Sequence, residues 1–127
     1  MATIGLLGDD ADGQMLLQQA KAEGLDCSQL MVTTGQRTTF TDAFTSQESA
    51  RRTHLFHAGA SQVLNPDHFD FSDVNAGILH LGLPGLHAQM DGPWEGEENG
   101  WVAVLKKARE AGLKTNLELC SLPAQQL

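Results

Sequence analysis

The chain has 127 residues, of which 41% are hydrophobic and 19% charged, a composition ordinary for one compact globular domain. Its formal charge is −8, from 8 basic and 16 acidic side chains, which opposes attraction to the phosphate backbone of nucleic acid. The apolar runs are too short to cross a bilayer, no cleavable signal segment is evident, and Cys27 and Cys120 match no CxxC or zinc spacing. These features predict a cytoplasmic protein with reduced cysteines that binds neither nucleic acid nor membrane.

The first predicted elements are a strand, a turn and a helix. An apolar run over residues 3–7 ends at Gly8-Asp9-Asp10, a pattern typical of a buried strand followed by a turn. We expect Asp12 to cap a helix from about Gly13 to Glu23, and Gly24 to end it.

The turn from Gly8 to Gly13 has the two-glycine spacing of a P-loop. Gln14 and Met15 replace the lysine and the Ser/Thr that would meet phosphate and magnesium, and three carboxylates would repel phosphate. A calcium loop is also excluded, because Gly8 and Gln19 stand where an EF-hand needs carboxylates. The segment is therefore predicted to be a structural turn with a helix cap.

A β-hairpin is predicted in the next part of the chain. Residues 38–45 and 51–58 are rich in Thr, Phe and Leu, and five residues connect them. The alternation of a strand places Thr41 and Ala43 on one face and Phe40, Asp42 and Phe44 on the other, so neither face is uniformly apolar. Such a hairpin is expected to project from a core.

The second half of the chain predicts a buried strand over residues 76–83, an exposed loop over 87–100, a helix ended by Gly112, and a last strand over 113–119. The helix presents Trp101, Leu105 and Ala108 on one side. Residues 1–127 thus form a single partial α/β domain with an inserted hairpin, whose three parallel strands would leave the sheet edges open. Open edges suggest a chain that is incomplete or that completes its sheet with another copy.

The spacing of the histidines predicts no metal site, and no catalytic motif is present. His54 and His57 point to opposite faces of a strand, so they cannot chelate one ion together, and the other histidines lie on separate elements. The nucleophile elbow G-x-S-x-G does not occur.

Four short sequence motifs carry a family resemblance: GLLGDDADG at 5–13, Phe40-Thr41-Asp42, His57-Ala58-Gly59-Ala60 and ILHLG at 78–82. In this order, and with these elements between them, they closely resemble the ribokinase-like (PfkB) carbohydrate kinases over nearly the whole chain. The resemblance implies part of a ribokinase-like, Rossmann-type parallel sheet with helices and an antiparallel β-hairpin that serves as a substrate lid. The lid would be the hairpin Thr38 to Ala58.

The resemblance also implies site residues. Thr41, Ala43 and Phe56 would face the sugar from the lid, and Gly82 would stand at a strand end where the family often contacts substrate. Gly59 and Ala60 would form the hinge. Some relatives carry a polar or acidic ligand where this chain has Gly82, and Ser61 departs from the commoner asparagine.

The family's late Gly-Ala-Gly-Asp segment, which supplies the anion hole and the general base, does not occur in this sequence. Without positioned donors and a base, phosphoryl transfer is not expected. The resemblance implies an intact parent protein, of which this chain would be one part. That parent would use ATP and magnesium and take a sugar as its substrate, whereas this chain alone would use neither cofactor. A stand-alone binding or assembly module, dimeric through the lid or a sheet edge, is the alternative. A third hypothesis is a complete small α/β enzyme, which would require a pocket into which several polar groups point.

Overall fold

The computed structural model describes residues 1–119, and an α/β chain with six strands and three α-helices is seen there. The strands are β1 (Ala2–Gly8), β2 (Asp26–Thr33), β3 (Phe40–Thr45), β4 (Arg52–His57), β5 (Ile78–Leu81) and β6 (Lys114–Leu117). The helices are α1 (Ala11–Ala22), α2 (Ala88–Asp91) and α3 (Gly100–Glu110). None of the helices described is long and apolar enough to cross a membrane.

The strands form three two-stranded sheets. β1 pairs with β2 and β5 pairs with β6, both in parallel, while β3 and β4 form the antiparallel hairpin. Parallel pairs joined through helices, with an inserted hairpin, confirm the predicted fold class. The expected three-stranded sheet was wrong, because β1 pairs with β2, a strand that was not predicted, and is not hydrogen-bonded to β5.

The apolar core lies between α3, β5 and the loop that follows the hairpin. Its buried members are Phe69, Phe71, Leu81, Met90, Trp101, Val104, Ala108 and Leu113. Helix α3 begins at a side-chain cap, because Asn99 accepts a hydrogen bond from the Val102 amide at 3.0 Å. Its buried residues recur at the spacing of one helix face, so α3 fixes the position of β5 and of the loop at its end.

Three local predictions need correction. Helix α1 is capped by Asp10, whose carboxylate accepts from the Gly13 amide at 2.9 Å, so Asp12 lies within the helix and is not the cap. The predicted loop over 87–100 contains the single turn α2. The first strand of the hairpin was predicted to begin at Thr38, but β3 begins at Phe40, and Thr38 precedes it and is buried. Cys27 is a free thiol, while Cys120 lies outside the described residues.

Candidate functional site

The hairpin brings three of the predicted substrate residues onto one face. Thr41 lies directly opposite Phe56, and Ala43 lies opposite His54. Directly opposed residues of an antiparallel pair project to the same side, so Thr41, Ala43 and Phe56 share a face with His54. Nearly all residues of β3 and β4 are exposed, as expected for a hairpin that projects from the core.

The opposite face of the hairpin has its own aromatic cluster near the base. The rings of Phe40 and His57 stack with centroids 5.0 Å apart, and the Arg37 guanidinium lies 5.5 Å from the centre of the Phe40 ring. A cation over an aromatic face is attracted by the ring quadrupole. These contacts stiffen the hairpin where it leaves the body of the protein.

The hairpin is fastened to the end of β1 through a junction that we call the Asp10–Thr38 junction (Gly8, Asp10, Gly13 and Thr38). The Gly8 amide donates to the Thr38 hydroxyl at 3.0 Å, and that hydroxyl donates to Asp10 at 2.6 Å. The Thr38 amide donates to the other oxygen of Asp10 at 2.8 Å. One carboxylate therefore caps α1 and holds the segment that leads into the hairpin.

The junction leaves no room for larger residues. A Cβ atom on Gly8 would stand 2.3 Å from the Thr38 nitrogen, and one on Gly13 would stand 2.3 Å from the Gly8 oxygen. Both distances are shorter than any real contact, so the two glycines are needed for the close approach of the three segments. The glycine spacing that resembles a P-loop thus has a structural cause.

Asp10 is held ionised by this arrangement. Hydrogen bonds from the Thr38 hydroxyl, the Thr38 amide and the Gly13 amide lower the pKa of Asp10 from 3.8 to about 2. This role of Asp10 was not predicted from the sequence. The sequence offered a signal, because Thr38 opens the predicted hairpin and Asp10 stands at the turn before the first helix.

The predicted hinge lies beside the same junction. Gly59 has a φ of +46°, and a Cβ there would stand 2.2 Å from the Arg37 oxygen. Ala60 is fully buried and donates its amide to Arg37 at 2.8 Å. The Thr39 hydroxyl donates to the Ala58 carbonyl at 2.6 Å. The exit of the hairpin is therefore bound to its entry by two hydrogen bonds, from Ala60 to Arg37 and from Thr39 to Ala58.

Gly82 follows β5 at the carboxyl end of the parallel β5–β6 pair, where α/β proteins commonly bind ligands. Three polar side chains that were not predicted lie beside it, and we call them the strand-end cluster (His80, Asn116 and Glu118). His80 Nε2 lies 3.2 Å from Glu118 Oε2, and Asn116 Nδ2 lies 2.7 Å from His80 Nδ1. His80 and Asn116 are register partners, which accounts for their contact.

Glu118 occupies the space beside Gly82. A Cβ on Gly82 would stand 3.2 Å from the Glu118 Cβ and 3.1 Å from its carbonyl oxygen. With glycine at this position, the polar side chain beside it comes from Glu118, which directly follows β6. The sequence contains the signal as two polar residues, two apart, of which Asn116 lies on β6 and Glu118 directly follows it.

In the turn after β1, Asp10 and the Gly13 amide are already hydrogen-bonded within the protein. The oxygens of Asp10 already accept from Thr38 and Gly13, and the Gly13 amide at the start of α1 is satisfied by Asp10. Within residues 1–119, no group of three or more His, Cys, Asp or Glu side chains is placed to hold a metal ion. The turn after β1 thus has a structural role, because it connects β1, α1 and the segment before the hairpin.

Comparison with known proteins agrees with this geometry. A family model described as pfkB family carbohydrate kinase matches residues 1–90. No curated protein sequence matches the chain.

Solved structures are similar in fold. The PfkB protein from Polaromonas sp. JS666 has a TM-score of 0.73 at 22% identity, over 96% of this chain and 40% of its own. Ribokinase from Giardia lamblia has a TM-score of 0.71 at 17% identity, with 97% and 36% covered. Ribokinase from Cryptococcus neoformans var. grubii serotype A, solved in complex with ADP, has a TM-score of 0.66 at 16% identity, with 98% and 35% covered. This chain therefore spans well under half the length of these structures.

Proposed function

Since this chain belongs to the pfkB family of carbohydrate kinases, we propose that it is the lid-bearing part of a sugar kinase and transfers no phosphate by itself. In the intact parent, the reaction would be ATP-dependent phosphorylation of a carbohydrate hydroxyl, with magnesium, in the cytoplasm. The observation that carries this proposal is the exposed hairpin, fastened through the Asp10–Thr38 junction to the end of a parallel strand.

The hairpin suits a lid because it is exposed on both faces and anchored only at its base. A lid that closes over bound substrate excludes water, so that the nucleotide is not simply hydrolysed. Closure needs a hinge, and we propose Gly59 and Ala60. The buried, hydrogen-bonded Ala60 would hold the body side of the hinge, while Gly59 would take up the change in backbone angles.

We propose that the sugar meets the hairpin face that carries Thr41, Ala43 and Phe56. Thr41 offers a hydroxyl, the small Ala43 leaves space, and Phe56 offers an apolar ring to the carbon face of a sugar. At the strand end Gly82 offers only backbone groups. His80 and Glu118 of the strand-end cluster would supply the side-chain hydrogen bonds there.

The catalytic proposal is tested by adding ATP, magnesium and a panel of pentoses, hexoses and nucleosides to the purified 127-residue chain. Formation of ADP should stay at the level of a no-protein control, because the sequence lacks the Gly-Ala-Gly-Asp segment. Robust turnover of any sugar would overturn the proposal that the chain is inactive.

Sugar binding is tested separately, by titrating the same sugars at millimolar concentration while recording protein NMR shifts. Shifts at Thr41 and His80 that are lost in Phe56→Ala would support the proposed face. Phe44→Ala is the matched control, because Phe44 is also an exposed phenylalanine but lies on the opposite face. Equal effects of the two variants would contradict the assignment.

A second candidate is a stand-alone oligomeric binding or assembly module. The hairpin exposes apolar side chains, with Phe44 59% and Leu55 58% accessible, and such residues favour association through the lid. A homodimer would then form by pairing of two hairpins. Sedimentation at micromolar concentration distinguishes the candidates: a dimer broken by Leu55→Asp favours the module, and a stable monomer excludes it.

A further inference from the structure

The hairpin face proposed for the sugar carries two basic side chains. Arg52 and His54 lie on β4 at intervals of two residues from Phe56, and residues two apart on a strand project to the same side. Their partners across the hairpin, on β3, are uncharged. Asp42 is the one acidic residue of the two strands, and its parity places it on the opposite face. We call Arg52, His54 and Phe56 the β4 row.

The charge of the β4 row is open to a ligand, since all six residues of β4 are exposed. Within residues 1–119 the ion pairs join Lys106 with Glu97 and His80 with Glu118. Arg52 therefore has no carboxylate partner in the described part of the chain. The chain as a whole carries a formal charge of −8, which repels anions. A basic row with no acidic side chain on its face favours an anion locally, against the charge of the rest of the chain.

The order of residues in the β4 row suits a sugar with a charged substituent. Phe56, near the base of the hairpin, offers its ring to the carbon face of the sugar. Arg52 lies four residues away, about 13 Å along the strand at about 3.3 Å per residue, and His54 lies between them. The guanidinium presents paired donors that match a carboxylate or a phosphate, and the imidazole ring N–H is a further donor. A sugar ring on Phe56 thus directs a charged substituent towards His54 and Arg52.

Resting on the proposed sugar face, we propose that the substrate is an anionic sugar, with a carboxylate or a phosphate group that Arg52 and His54 bind. The two groups share the chemistry that the β4 row recognises, which is negatively charged oxygens that accept hydrogen bonds. A neutral sugar would meet Thr41 and Phe56 in the same way but would gain nothing from the guanidinium charge. Arg52 is therefore the residue that sets the preference for a charged substrate.

The test compares ligands that share one sugar ring and differ in charge. Glucose, glucuronate and glucose 6-phosphate, and ribose with ribose 5-phosphate, are titrated into the 127-residue chain while the NMR shifts of Thr41 are recorded. We expect an anionic ligand to bind about three- to fivefold more tightly than its neutral counterpart, the scale of one exposed ion pair. The tighter of glucuronate and glucose 6-phosphate tells whether the group is a carboxylate or a phosphate. Added salt should reduce the preference, because ions screen exposed charges.

Arg52→Gln removes the charge and keeps a long polar side chain, so the affinity for the anionic ligand should fall to that of the neutral sugar. Arg51→Gln is the matched control, because it removes the same charge from the adjacent residue, which precedes β4 and has the opposite parity. This control should keep the preference for the anionic ligand. His54→Ala should lower the affinity for the anionic ligand by a smaller factor, about twofold, through the loss of one hydrogen-bond donor.

The outcomes separate this inference from the proposed function on which it rests. Shifts at Thr41 with equal affinity for neutral and anionic sugars would support the sugar face and overturn the anionic class. The class is also overturned if Arg51→Gln and Arg52→Gln have equal effects. Inorganic phosphate that binds as tightly as the anionic sugar would show that the row binds a free anion, which is a third contradiction. Absence of any shift at Thr41 would overturn the sugar face and this inference together.

Discussion

At Thr38 one hydroxyl group connects two different elements. It accepts from the buried Gly8 amide at the end of β1 and donates to Asp10 at the start of α1. A buried donor or acceptor that loses its partner keeps its desolvation cost without the compensating bond. The effect of a mutation here is therefore larger than that of an exposed hydroxyl.

Thr38→Val keeps the shape of the side chain and removes the hydroxyl. We expect the free energy of unfolding in urea to fall by about 1–3 kcal/mol, because the Gly8 amide loses its acceptor. Thr38→Ser keeps the hydroxyl and should cost less. If the two variants are equally stable, the hydroxyl does not hold the junction.

The lowered pKa of Asp10 predicts a pH dependence of stability. The unfolded carboxyl titrates near 3.8 and the folded one near 2, so below about pH 3.8 the unfolded state binds more protons. The contribution of Asp10 is thus complete above pH 3.8 and is lost as the pH falls towards 2. Its size depends on solvent screening, because the carboxylate is accessible.

Asp10→Asn should flatten this part of the stability curve, measured by urea unfolding between pH 5 and pH 2.5. Hydrogen bonds also lower the pKa of Asp26 and of Asp70, so part of the slope will remain in the variant. Asp9→Asn is the matched control at the neighbouring position. A slope in Asp10→Asn that equals that of Asp9→Asn would contradict the prediction.

Among the elements, the hairpin was predictable and β2 was not. Thr, Phe and Leu recur in β3 and β4 around a polar connection, and this local pattern is enough for a hairpin. β2 carries Asp26, Ser28 and Gln29, which have low strand preference. It becomes a strand because β1 offers it a parallel edge and because Gln29 makes two hydrogen bonds to the Asp70 backbone, at 2.7 and 2.8 Å.

Gly59→Ala tests how the hairpin is attached to the body. Gly59 and Gly24 both have positive φ, but a Cβ at Gly24 meets nothing within 4 Å, while one at Gly59 meets the Arg37 oxygen. Gly24→Ala should cost about 1 kcal/mol of unfolding free energy through backbone strain alone. Gly59→Ala should cost about 1–3 kcal/mol more, from the added clash. Equal losses would show that the exit of the hairpin can shift freely.

For the molecule as a whole, stability is expected to come from the core around α3 and not from the hairpin. Val104 is fully buried in that core, while Leu55 on the hairpin is mostly exposed. Val104→Ala should lower the free energy of unfolding by about 2–3 kcal/mol, from lost burial and the cavity left behind. Leu55→Ala should change it by less than about 0.5 kcal/mol. The reverse order, measured by urea unfolding of the two variants, would place the hairpin in the core.

A proposal about the whole molecule is that residues 1–127 form a single partial α/β domain. It predicts one cooperative unfolding transition, with the same midpoint for tryptophan fluorescence and for far-ultraviolet circular dichroism. Two separate midpoints would contradict it.

The sequence by itself determined the α/β class, the hairpin, the helix around Trp101 and the family, because these depend on local periodicity and on the order of short sequence motifs. The tertiary structure alone decided that Asp10 holds Thr38, that His80 meets Asn116 and Glu118, and that β1 pairs with β2. These contacts join residues far apart in the chain, such as Gly8 and Thr38 or His80 and Glu118. Local patterns carry no information on which distant groups meet, so the attachment of the hairpin became visible only in three dimensions.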